Sequence, residues 1–91
     1  MEKKWFVYIL HCGDGSLYTG ITDDFVKRLS AHRSGKGAKY TRGRGPLVVY
    51  YLEELSSKSM ALKREIAIKR MKRTDKLKLC DTYKGSVPDD L

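Results

Sequence analysis

Tyr8, Tyr18, Arg28 and His32 are the residue types that handling a phosphodiester demands. A phenol and an imidazole can move a proton, and a guanidinium can hold the negative charge of a phosphate. Tyr8 stands in Val7-Tyr8-Ile9 and Tyr18 in Tyr18-Thr19-Gly20, and Arg28 and His32 follow four residues apart. Taken singly, each has a duller use. A strand tyrosine is ordinarily a core aromatic with a satisfied hydroxyl, and a histidine beside Phe25 is ordinarily a half-buried packing residue. The pattern, not any single member, carries the chemical interpretation.

The elements around these residues decide whether they meet. Trp5 to Leu10 is a β-branched and aromatic run without polar alternation, which fits a strand covered on both faces or central in its sheet. Gly13-Asp14-Gly15 is a strong turn signal, so Ser16 to Gly20 is expected to pair back as the second strand of a hairpin. A three-residue loop sets Tyr8 opposite Gly20 and Tyr18 opposite Leu10, with both phenols on one face. A two-residue Asp-Gly loop would separate them, because one step of register reverses a face. Thr22 or Asp23 can cap a helix from Phe25 to about Arg33, and Asp23 and Asp24 lie favourably near its positive end. Phe25 and Leu29 form its buried stripe, with Arg28 and His32 together beside it, facing the hairpin's edge.

Beyond this helix, Ser34 to Lys39 is too rich in glycine for a long helix, and the stretch to Pro46 adds two glycines and two arginines, so a basic loop is expected. Leu47 to Glu53 reads as a third strand, Ser56 to Ser59 as a helix start, and Met60 to Arg73 as the best helix of the chain. Thr74 or Asp75 can cap a short last helix through Cys80. The expected organisation is one domain over residues 1–84 and a short tail over 85–91, since 91 residues suffice for one modest core and not for two.

Charge narrows the class of partner. The chain carries 19 Lys and Arg against 11 Asp and Glu, a formal net charge of +8. Seven basic residues and no acid lie between Lys27 and Arg44, and nine basic residues and two acids between Lys58 and Lys78. Two such runs look like a face for nucleic acid rather than general solubility. Lys27, Lys36, Lys39, Tyr40, Arg42, Arg44 and Lys69 are the residues expected to touch it. Lys69, Arg70, Lys72 and Arg73 are most simply a solvated face. Cys12 and Cys80 have no ligand spacing and read as reduced thiols. Neither a signal peptide nor an apolar run of the ~20 residues needed to span a membrane is visible. A cytoplasmic protein is expected.

Glu65 is the anomaly of the long helix, because it falls between Ala61 and Leu62 on the apolar side of an otherwise basic surface. A carboxylate there needs a partner. The structural account is an ion pair with Lys69 or Arg28. The functional one is a ligand to a divalent metal, since Mg²⁺ is commonly held by one or two carboxylates together with waters and substrate phosphate. A shared site further requires that Glu65 and Tyr8 not be parted by the sheet.

These positions together, Tyr8, Tyr18, Arg28, His32 and Glu65 within Arg64-Glu65-Ile66-Ala67-Ile68-Lys69, resemble the GIY-YIG endonuclease domain, and in particular its small stand-alone bacterial members. The Ala38-Lys39-Tyr40-Thr41 loop and the Pro46-Leu47 strand entry add to the match, which runs from Trp5 to about Arg73. The resemblance implies an α+β fold, a three-stranded antiparallel sheet flanked by helices in β-β-α-β-α order, and metal-dependent cleavage of DNA, in repair or recombination. By that likeness Glu65 holds one Mg²⁺ or Mn²⁺, Tyr8 is the general base, Tyr18 supports it, Arg28 neutralises charge on the phosphorane, and His32 shares proton transfer. Val7 replaces the glycine of the family name and Thr19 its isoleucine. Many active members use an asparagine late in the domain, and this chain has none. The other function class is a weakly catalytic or non-catalytic module that binds DNA or RNA with the same fold. A protein partner or a second copy stays open.

Overall fold

The computed structural model describes residues 4–83, so the expected tail at 85–91 lies outside the described residues. Strands β1 (Trp5–His11), β2 (Leu17–Thr22) and β3 (Val48–Leu55) form one antiparallel sheet in the order β2-β1-β3. Helices α1 (Phe25–Arg33), α2 (Lys58–Lys69) and α3 (Arg73–Asp81) complete the α+β fold, with a single 3₁₀ turn at Lys39–Thr41. Among the described residues no helix is long and apolar enough to cross a membrane.

The unalternating apolar run of β1 has a simple cause. It is the central strand, and Val7, Tyr8, Ile9 and Leu10 are all essentially buried. Tyr8 and Leu10 pack with Phe25 and Leu29 of α1 and with Leu47 and Val49. Val7 and Ile9 pack on the other face with Tyr51, Ile68 of α2 and Cys80 of α3. The hairpin register is the one a three-residue loop requires: Cys12 N–H donates to Ser16 O at 2.9 Å, Tyr8 lies opposite Gly20, and Leu10 opposite Tyr18. Gly15 takes the left-handed conformation, φ 87°, that closes this turn.

Three element boundaries differ from the sequence expectation. The N-cap of α1 is Asp24, whose carboxylate accepts from Lys27 N–H at 3.2 Å, while Thr22 turns its hydroxyl into the connection just before it. The third strand starts one residue later and runs two residues longer, to Leu55. The break between the last two helices falls four residues earlier than expected, after Lys69 instead of after Arg73. Ser57 caps the first as expected, but α2 ends at Lys69, and α3 begins at Arg73 behind an extended Lys72 with no side-chain cap. Neither glycine nor proline marks the position at which the chain turns. Tertiary burial sets it, because the bend returns Met71, Leu79 and Cys80 to the cluster around Val7 and Ile9, where a straight helix would carry them past the sheet.

Candidate functional site

Tyr8 and His32 are 1% and 2% exposed, and the Tyr8 hydroxyl lies 2.8 Å from His32 Nε2. The other ring nitrogen, Nδ1, is 2.8 Å from Thr41 Oγ1. Thr41 donates its only hydroxyl proton to Ala38 O at 2.9 Å, so it accepts from His32. That assigns the tautomer: Nδ1 carries the proton, and Nε2 is the bare nitrogen that accepts from the Tyr8 phenol. Burial, with the nearby Arg28 charge second, lowers the His32 pKa to about 4, which keeps the ring neutral. Every member of this buried chain is satisfied, as a polar network in a core must be.

Two glycines make room for it. A Cβ on Gly20 would stand 2.6 Å from the Tyr8 hydroxyl oxygen and 3.0 Å from the Tyr18 ring, so the phenol crosses the partner strand only because that position has no side chain. A Cβ on Gly37 would stand 2.5 Å from His32 Nδ1, which lets the basic loop close over the imidazole.

Arg28 is held beside both phenols, and its own pKa rises mainly through hydrogen bonding to Tyr8. Tyr8 is pushed up to about 12 by burial, against the downward pull of Arg28, with the Tyr18 and Glu65 charges adding smaller upward contributions. Tyr18 is half-buried, with its ring centroid 5.3 Å from that of His32 and 5.8 Å from that of Tyr40, stacked at 27°. Arg44 covers Tyr40 at 4.3 Å and is paired with Asp14. Arg28 and His32 therefore do meet the two tyrosines, but His32 enters the core beside Phe25 and Leu29 rather than lining its edge.

Glu65 comes from the other direction. Its helix buries Ile68 on the face opposite Tyr8 and packs along both β2 and β1, and Glu65 is near enough for its charge to act on the Tyr8 phenol. Glu65 thus comes from a helix on the sheet face opposite Tyr8, and it is its charge that reaches the phenol. The Glu65 carboxylate is 3.4 Å from Lys69 Nζ, the i,i+4 pair the sequence offered as its structural partner. Among the described residues no group of three or more His, Cys, Asp and Glu side chains converges. One carboxylate completed by phosphate oxygens and waters is a donor set that suits Mg²⁺ or Mn²⁺, so Glu65 fits the metal as a single ligand.

Of the expected nucleic-acid contacts, Lys27, Lys36, Lys39, Tyr40 and Arg42 are exposed, while Arg44 and Lys69 are already held by acids. Thr41, Gly20 and Gly37 were not foreseen as site residues. The Tyr18-Thr19-Gly20 triplet gave a signal for Gly20, but a threonine nine residues beyond a histidine has no local signature.

The sequence model of the GIY-YIG catalytic domain matches residues 4–78. The chain belongs to the GIY-YIG family. This is a family of nuclease domains whose members generally use divalent metals and act on nucleic acid. The chain is similar to a UPF0213 protein of Oceanobacillus iheyensis, 51% identical over 89% of this chain and 94% of that protein. It is likewise similar to a UPF0213 protein of Streptococcus sanguinis, 52% identical over 85% and 88%. A solution NMR structure of a UPF0213 protein from Bacillus halodurans has a TM-score of 0.59 at 45% identity, covering 90% of this chain and 87% of that one. An NMR structure of a protein from E. faecalis has a TM-score of 0.63 at 39% identity, covering 91% of each.

Proposed function

We propose that this GIY-YIG chain is a Mg²⁺- or Mn²⁺-dependent endonuclease that hydrolyses phosphodiesters of DNA, working in repair or recombination in a reducing cytoplasm that suits its two free thiols. The observation that carries the proposal is the buried chain Tyr8–His32–Thr41, in which an unprotonated imidazole nitrogen faces a phenol beside an unneutralised arginine.

The magnitudes decide how that chain works. With the phenol at about 12, ionising it at neutral pH costs about 7 kcal/mol at 1.36 kcal/mol per unit. A standing tyrosinate is therefore not the base. Tyr8 instead relays: it takes a proton from the attacking water as it gives its own to His32 Nε2, and Nδ1–H stays on Thr41. A phosphate bound to Arg28 removes the repulsion that helps hold the His32 pKa down, so substrate itself raises the basicity of the final acceptor. Arg28 then faces the charge that builds on the phosphorane, and Tyr18 holds Arg28 and Tyr8 in place. Glu65 would hold the metal, which supplies Lewis-acid charge to the scissile phosphate and the departing 3′ oxygen. Lys27, Lys36, Lys39, Tyr40 and Arg42 line the approach of the backbone, with Arg44 and Lys69 available once phosphate competes with Asp14 and Glu65.

The Glu65–Lys69 pair favours a second reading, a nucleic-acid-binding module with little turnover. Nicked, branched and single-stranded DNA incubated with Mg²⁺ or Mn²⁺ separates the two. The nuclease cuts, and Glu65→Ala and Arg28→Ala do not. Equal background cutting by all three proteins leaves only the binding module.

A further inference from the structure

A hollow of about 250 Å³ opens at the β2 edge, lined by Leu17, Tyr18, Thr19, Tyr40, Lys69 and Lys76. Its lining combines two aromatic rings with two ammonium groups, the composition that takes a base and its phosphate together. Lys69 ends α2 and Lys76 stands in α3, so the hollow is lined from both sides of the bend at 70–72. Lys69 also pairs with Glu65, so the hollow adjoins the carboxylate at the reacting end of the site. Lys76 pairs with no carboxylate among the described residues and is left for a ligand anion. Tyr40 is 42% exposed although it is a large aromatic, and its loop brings it against Tyr18.

We propose that this hollow holds one unpaired nucleotide beside the phosphodiester that is cut, its base against Tyr18 and Tyr40 and its phosphate between Lys69 and Lys76, so that the preferred substrate is single-stranded or frayed at that step. This rests on the nuclease reading for what lies next to the hollow, but not for the binding itself. A hollow of about 250 Å³ is on the scale of one nucleotide, not of a stacked base pair.

The test is binding without cleavage: anisotropy of a labelled single strand and of a blunt duplex of equal length, in EDTA. A second single strand carries 2-aminopurine at each position in turn. Lys76→Ala is expected to weaken the single strand, to reduce its salt slope by about 0.7, the contribution of one phosphate on a single strand, and to leave the duplex unchanged. Tyr40→Ala is expected to weaken the single strand ~5-fold or more and to abolish a 2-aminopurine signal that wild type gives at one position. Lys76→Arg retains both properties, and Lys63→Ala, in a different hollow beside Leu55 and Met60, changes neither. Equal losses on single strand and duplex, or no loss on either, overturn the proposal. A protein that binds in this way yet never cuts loses the nuclease reading and keeps the subsite. One that cuts while Lys76→Ala weakens single strand and duplex alike, or neither, loses the subsite alone.

Discussion

Two tyrosine–acceptor–arginine sets occupy opposite faces of the same sheet, and only one of them has its arginine free. On the α1 face, Tyr8 donates to neutral His32, and Arg28 stands beside the phenols. On the α2 face, Tyr51 donates to Glu53 at 2.6 Å, and Arg64 binds the same carboxylate oxygen at 2.9 Å. Both phenols have raised pKa values, chiefly through burial. By residue type the two sets are equally suited to chemistry. They differ in where the cation's charge goes: Arg64 is neutralised within its own set, whereas among the described residues no carboxylate forms an ion pair with Arg28, whose field is left for an incoming phosphate. A perturbed tyrosine is thus weak evidence for a site, and an unneutralised arginine beside it is stronger evidence.

The sharpest break in the comparison is catalytic. Tyr8→Phe is expected to reduce cleavage by ~10²–10⁴-fold, the range of a lost proton-transfer group, while Tyr51→Phe stays within ~2-fold. Single-turnover cleavage on one DNA substrate checks both, and a comparable loss in the two variants would erase the distinction.

A smaller contrast lies in acid stability. The folded-state pKa of His32, about 4, is below its unfolded value near 6.5, so its contribution is present above pH 6.5 and lost as pH falls through 4. Unfolding free energy is expected to drop by about 3 kcal/mol across that window on this account. His32→Phe flattens that portion of the curve. Tyr51→Phe leaves His32 and its partners in place, so it is expected to leave the slope intact in denaturant titrations at stepped pH.

Thr41→Val removes the acceptor of His32 Nδ1–H in a buried place and is expected to cost about 1–3 kcal/mol, with a changed pH profile of cleavage. Thr41→Ser keeps the hydroxyl and restores the profile, which a purely steric role of Thr41 would not produce. The least effect belongs to the other face. Arg64 and Glu53 are each about one-third exposed, and Arg64→Met is expected to change stability by about 0–1 kcal/mol, measured by thermal unfolding.

The sequence by itself determined the hairpin, its register and the helix that follows. These depend on neighbours in the chain: Gly13-Asp14-Gly15 fixes the loop, the period of two then places Tyr8 and Tyr18 on one face, and a spacing of four puts Arg28 and His32 on one side of a helix. It also marked Glu65, because a carboxylate on an apolar helix face is visible in the pattern alone. Only the tertiary structure decided what those residues touch. The tautomer of His32 depends on Thr41, whose hydroxyl is committed to Ala38 in a loop that composition describes merely as basic and glycine-rich. The approach of Glu65 from the α2 face, and the bend that sets Lys76 in one hollow with Lys69, depend on which apolar side chains the sheet can still bury after α2 has crossed it. Hydrophobic burial is non-directional and acts between segments far apart in the chain, so the capping signals at Thr74 and Asp75 announced a second helix but left no mark at Arg70 to Lys72, where the chain turns.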